Sequence, residues 1–94
     1  MKIRQIMFHY VYLLAGKNNR LYVGMSADLR KRLAEHNRGK NFSTKPHGPW
    51  QLIHYEAYLN EKDAKRREKY LKTNQGARIL KRMLKEYFYE TKNH

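Results

Sequence analysis

Tyr12, Tyr22, Arg32, His36 and Glu68 form a set whose chemistry suits the cutting of a phosphodiester. Tyr10-Val11-Tyr12 and Tyr22-Val23-Gly24 are two short apolar runs, and Tyr22 follows Tyr12 by ten residues. A phenol beside a metal-bound water can accept its hydrogen bond, or act as a base if its pKa is lowered. Arg32 and His36 are four residues apart, so on a helix they share a face. Arginine offers a fork that fits phosphate, and histidine can donate to phosphate or relay a proton. Their alternative use is plain: Arg32 as one more exposed base, His36 as a cation near a helix C-terminus.

Glu68 is the most telling member. Between Ala64 and Lys85 it is the only acid, among nine lysines and arginines. Ala64, Glu68 and Leu71 fall on one helix face, and a carboxylate on a partly apolar stripe is costly unless paired. A divalent cation is one such partner, since magnesium is often held by one or two carboxylates plus water and phosphate. An ion pair with Lys72, four residues on, is the other.

These side chains need a frame to meet. Phe8 to Leu14 and Leu21 to Gly24 have strand composition, joined by the turn residues Gly16 to Asn19. A five-residue loop would set Tyr12 opposite Tyr22, although a slip of one residue would reverse their faces. Ser26 can cap a helix running to about Arg38 and stopped by Gly39. A loop follows to Pro49, then a strand from Trp50, placed in the core, to Tyr58. Asn60 caps a second helix with Asp63 in its first turn, punctuated by Asn74 and Gly76. A third carries the stripe Ile79, Leu80, Met83, Leu84 and Tyr87. Residues 91–94 are expected to fray. The order is β-β-α-β-α-α: an α/β fold with a small three-stranded antiparallel sheet flanked by about three helices.

Ninety-four residues make one domain, with a core over about residues 8–89. Cysteine is absent, which excludes disulfides and thiolate metal sites and suits a reducing compartment. The formal charge of +13, from 21 lysines and arginines against 8 acids, calls for a polyanionic partner. Nucleic acid is the commonest; a basic solubilising surface, a ribosome-associated protein without chemistry and an anionic membrane surface are the alternatives. Lys2 and Arg4 before Ile6-Met7-Phe8 resemble the start of a signal peptide, but His9, Tyr10 and Tyr12 interrupt the run and favour a strand. No run reaches the length of a membrane span. The loop Lys40-Asn41-Phe42-Ser43-Thr44-Lys45 mixes bases, hydroxyls and one aromatic, which suits contact with a nucleic-acid backbone, with stacking by Phe42. Lys65-Arg66-Arg67 fits a phosphate-facing surface or a solvated helix face equally well.

Taken in order, these residues resemble the GIY-YIG endonuclease family, from about His9 to Tyr87, and most of all its small single-domain bacterial members related to the N-terminal nuclease domain of the excision-repair protein UvrC. Tyr10-Val11-Tyr12 stands where the family has Gly-Ile-Tyr, and Tyr22-Val23-Gly24 where it has Tyr-Ile-Gly. Arg32 lies at the position of the family's arginine, His36 at a histidine found in several members, and Glu68 at the metal-binding glutamate. Ser43-Thr44-Lys45, Pro49-Trp50, Tyr55-Glu56 and Arg67-Glu68-Lys69 resemble further stretches of the single-domain group. Tyr10 replaces the first glycine, and Met25 stands where a small polar residue is common. The resemblance implies a metal-dependent DNA endonuclease of low sequence specificity, in repair or recombination, with Tyr12, Tyr22, Arg32, His36 and Glu68 catalytic. Glu68 would hold one Mg²⁺ or Mn²⁺. Tyr12 would help deprotonate water, Tyr22 orient it or the phosphate, Arg32 stabilise the pentacovalent state, and His36 support positioning. Lys40, Ser43, Thr44, Lys45, Arg67 and Lys72 are expected to contact DNA, plain, branched or flapped. The implied setting is cytoplasmic and nucleoid-associated, the protein a monomer or weak dimer, with a partner protein to supply targeting. A non-catalytic nucleic-acid-binding module on the same fold is the competing expectation.

Overall fold

The computed structural model describes residues 6–41 and 43–92. Their order is β1 (His9–Ala15), β2 (Leu21–Ser26), α1 (Leu29–Asn37), β3 (Gln51–Tyr58), α2 (Glu61–Leu71), α3 (Asn74–Met83) and α4 (Lys85–Lys92). The strands form one antiparallel sheet in the order β2-β1-β3. The expected mixed α/β architecture is therefore present, with four helices in place of about three.

The hairpin turns through Asn18 and Asn19, both left-handed at φ 57° and 60°. Asparagine tolerates that region better than most residues, and the Gly16 N–H closes the turn on the Arg20 carbonyl at 2.9 Å. β2 runs two residues beyond Gly24. Ser26, expected to cap α1, is instead the last strand residue, opposite Tyr10. Its hydroxyl accepts from the Asp28 N–H at 3.0 Å and makes the corner, and Asp28 is the cap, accepting from Lys31 N–H at 3.1 Å. At the other end the Gly39 and Lys40 N–H groups bond the His36 and Glu35 carbonyls, and Gly39 takes φ +73°. This paired closure ends α1 where glycine was expected to stop it.

Strand alternation divides the core in two. Val11 and Leu13 face α2 and α3 and pack with Ala64, Leu71 and Leu80. Tyr12 and Leu14 face α1 and pack with Trp50, Tyr22, Leu29, Leu33 and Leu52. Burying a leucine of this kind contributes about 1.5–3 kcal/mol. Asn60 caps α2 as expected, accepting from Lys62 N–H at 2.8 Å. Thr73 caps α3, accepting from Gly76 N–H at 3.1 Å. Gly76 is not a break but part of that first turn: a Cβ there would overlap the Tyr70 carbonyl, so glycine lets α3 close onto α2.

The stripe expected on one terminal helix is split at Leu84, whose ψ of 30° leaves the helical region between α3 and α4. No glycine or proline marks the break, and Leu84 stays packed on the Leu80 cluster. α4 extends to Lys92, so Thr91 and Lys92, placed in a frayed tail, are helical. The rest of that tail lies outside the described residues. Among those described, no helix is long and apolar enough to cross a membrane.

Glu56 on β3 locks α2 to the sheet. Its carboxylate accepts from Arg67 Nε at 2.8 Å and Nη2 at 3.1 Å, and from the Tyr58 hydroxyl at 2.7 Å. His54 Nε2 lies 3.1 Å away on the same carboxylate. Burial alone would raise the Glu56 carboxyl, but the Arg67, Tyr58 and His54 hydrogen bonds outweigh it and hold it at about 2. A forked pair of this geometry ties α2 to β3.

Candidate active site

Tyr12 lies on the middle strand and crosses toward the edge strand β2. Its strand partner is Gly24. A Cβ at Gly24 would overlap the Tyr12 hydroxyl, so the ring lies across the glycine and only glycine leaves room for it. This is a physical reason for the glycine in Tyr22-Val23-Gly24. Tyr22 pairs with Leu14, not Tyr12. The expected direct opposition is thus replaced by a diagonal one on the same face, with ring centroids 6.3 Å apart.

α1 lies over this face and supplies the next two groups. The Tyr12 hydroxyl is 2.9 Å from His36 Nε2, and the Tyr22 ring packs edge-on against the same imidazole at 4.9 Å. His36 is 2% exposed and Tyr12 3% exposed. Burial pushes the His36 imidazole down, and the Arg32 charge pushes it further, so it is neutral at pH 7. Burial pushes the Tyr12 phenol up; the neighbouring Arg32 guanidinium opposes the rise, while Tyr22 and Glu68 add to it. Arg32 keeps a side chain about one-third exposed, 36%, and touches Glu35 at 3.4 Å. It is the member of the group with cationic donors open to solvent.

Glu68, on α2, lies close enough for its charge to act on Tyr12. Its side chain is 25% exposed, and its described partner is Lys72, at 3.4 Å. The ion pair weighed from sequence is therefore present. Lys72 also lies 5.7 Å from the Tyr22 ring centre, half-exposed. Among the described residues no three histidines and carboxylates cluster as a metal cage. A single, partly exposed carboxylate nevertheless fits a hard cation that takes its remaining ligands from water and phosphate.

The loop after α1 is joined to the site in a way that residue spacing did not foretell. Thr44, expected among the DNA contacts, is 1% exposed and turned inward. Its hydroxyl is 2.8 Å from His36 Nδ1. The Trp50 indole N–H donates to the Thr44 carbonyl at 2.8 Å. Asn37 accepts from the Trp50 N–H at 2.6 Å and donates to its carbonyl at 3.0 Å, pairing with it as a strand neighbour would. Asn37 thus ties α1 to the start of β3. Trp50 was expected in the core and is buried there, but nothing in the sequence marked Asn37 as its partner. Ser43 spends its hydroxyl on Asn41 at 2.7 Å. Lys40 and Lys45 are exposed. Phe42, read as a stacking residue, lies outside the described residues. Arg67, also expected at the DNA, has its fork on Glu56.

Tyr22 and Lys72 line a recess of about 300 Å³ with Leu13, Leu71 and Leu80. A larger one, of about 540 Å³ between the hairpin turn and α4, contains none of the five residues.

The profile of the GIY-YIG catalytic domain matches residues 8–83. A UPF0213 protein of Clostridium perfringens is 36% identical over 87 residues, covering 87% of this chain and 94% of that protein. Another, of Staphylococcus haemolyticus, is 38% identical over 74 residues, covering 78% of this chain and 90% of its own. The solution structure of a UPF0213 protein from Bacillus halodurans superposes with a TM-score of 0.53 at 30% identity, over 82% of this chain and 85% of that one. With Tyr12, Tyr22, Arg32 and His36 gathered on one sheet face, the chain belongs to the GIY-YIG catalytic-domain family, and its UPF0213 relatives are homologues.

Proposed function

We propose that this protein is an endonuclease that hydrolyses DNA phosphodiester bonds with little sequence preference, using one Mg²⁺ or Mn²⁺ held by Glu68. The observation that carries the reading is the buried hydrogen bond between the Tyr12 hydroxyl and a neutral His36, with Arg32 beside it. Bound at Glu68, the cation would supply Lewis-acid polarisation and charge neutralisation at the scissile phosphate.

The protein's own groups then have distinct tasks. A phenol raised by burial is protonated at rest, so Tyr12 can take a proton from water only as it gives up its own. His36 Nε2, neutral and 2.9 Å away, is placed to receive it. The water oxygen forms the new bond to phosphorus, the phosphorus–oxygen bond to the departing strand breaks, and that oxygen is reprotonated from solvent. Arg32 donates to the non-bridging oxygens where negative charge grows. Tyr22, packed against His36, lines the approach. Lys40, Lys45 and Lys72 face solvent and meet neighbouring phosphates. One such centre makes one cut, so the expected product is a nick.

The test is cleavage of labelled single strand, duplex, flap and four-way junction with Mg²⁺, Mn²⁺ or EDTA, with Glu68→Ala beside the parent. Metal-dependent cutting lost in the variant, with DNA binding retained, is the expected result. Binding without cutting by either protein would favour a non-catalytic module. Cutting retained by Glu68→Ala would overturn the metal assignment.

A further inference from the structure

We propose that Thr44 is a positioning residue whose hydroxyl holds His36 in the Nδ1–H tautomer, so that Nε2 presents its lone pair to the Tyr12 phenol. His36 is bonded at both ring nitrogens and is 2% exposed. A neutral imidazole carries one proton, so one nitrogen must donate and the other accept. The Thr44 end of the chain decides which.

At one end, the Thr44 hydroxyl donates to the Asn41 carbonyl at 3.3 Å. A carbonyl only accepts, and a hydroxyl has one proton, so Thr44 Oγ1 is left to accept from His36 Nδ1 at 2.8 Å. At the other end, the Tyr12 hydroxyl lies 2.9 Å from His36 Nε2, the nitrogen this leaves without a proton. An unprotonated ring nitrogen only accepts, so the Tyr12 hydroxyl donates to it. The protons then run one way: Tyr12 to His36, His36 to Thr44, Thr44 to Asn41. The opposite tautomer would require the Thr44 hydroxyl to donate to His36 Nδ1 and give up the Asn41 carbonyl.

Thr44 is itself held. Its carbonyl accepts from the Trp50 indole at 2.8 Å, and Asn37 grips the Trp50 backbone on both sides. The loop that carries Lys40 and Lys45 is therefore also the element that sets the proton on His36. Outer partners of this kind orient a histidine and fix its tautomer elsewhere, and losing them typically costs 10–100-fold.

Nitrogen-15 spectra of the histidine rings at about pH 8, where His36 is neutral, read the tautomer without any substrate. The expected result is protonated Nδ1 in the parent and in Thr44→Ser, and a mixed or Nε2–H pattern in Thr44→Val. On the hydrolase reading, on which only the kinetic arm rests, kcat falls roughly 10–100-fold in Thr44→Val with KM for DNA unchanged, and Thr44→Ser restores it. An Nε2–H signal in the parent overturns the proposal, and needs no variant to fold. So does a folded Thr44→Val that keeps the parent's tautomer. A parent that cuts no DNA would refute the hydrolase reading and leave the tautomer result standing.

Discussion

Gly24→Ala tests whether the Tyr12 ring is held where the chemistry needs it. The new Cβ would lie 2.9 Å from Tyr12 Cε2, and the hydroxyl would be closer still. Ordinary carbon contacts lie at about 3.5–4.0 Å, so the ring must retreat by about 1 Å or the strands must part. Such crowding in a packed core costs about 1–3 kcal/mol. For a domain this size that is a fall in melting temperature of roughly 4–8 °C per kcal/mol. A 1 Å retreat also breaks the 2.9 Å bond to His36. Misplacement on that scale costs about 100-fold in rate, or about 2.7 kcal/mol. Single-turnover cleavage of the preferred substrate, with calorimetric melting and DNA binding measured beside it, separates the parts. The expected outcome is a kcat reduced about 100-fold, close to that of Tyr12→Phe, with binding retained. The double variant should be little worse than either single one, because both break the same contact. A Gly24→Ala protein that melts and cuts like the parent would refute the account of why that position is glycine.

Further expectations follow from the same geometry. Arg67→Ala strands the half-buried Glu56 carboxylate and should cost about 2–3 kcal/mol in urea unfolding, without the loss of kcat expected for Glu68→Ala. Glu56 titrates at about 2 in the folded chain against 4.5 unfolded, so between those values the unfolded chain binds more protons. The stability it gives is full above pH 4.5 and is lost as pH falls toward 2, and Arg67→Ala should flatten that limb of the stability profile. On the proposed mechanism cleavage uses neutral His36, whose imidazole is held below 6.5 by burial and the Arg32 charge, so the acid limb of the kcat profile should fall below pH 6.5. DNA binding should weaken linearly on a log–log salt plot, and Lys40→Ala should reduce the slope by about 1.

Local chemistry made much of this protein legible. Strand composition and turn residues marked the three strands, Asn60 and Gly39 marked real helix ends, and the i, i+4 spacing of Arg32 and His36 put both on one face of α1. These signals are readable because caps, turns and periodicity act over a few residues. Glu68 stood out as a lone acid among bases for the same reason. Where competing local signals were close in strength, the sequence misled. Ser26 and Asp28 are both good caps, and pairing of Ser26 with Tyr10 across the sheet chose between them. The stripe through Leu84 has helical period on both sides, and nothing in its composition marks the break that the chain makes there while Leu84 packs on the Leu80 cluster.

The sequence by itself determined the three strands, the order of the main elements, the basic charge and the candidate set. Tertiary structure alone decided how that set is joined. The diagonal register placed Tyr12 over Gly24 rather than opposite Tyr22. Chain folding turned Thr44 from a loop hydroxyl into the partner of His36, and Arg67 from a candidate DNA contact into the clamp of Glu56. Such bonds link residues 8 to 24 positions apart. They form because a buried polar group must find a partner wherever the packed chain supplies one, and no local pattern encodes which partner that will be.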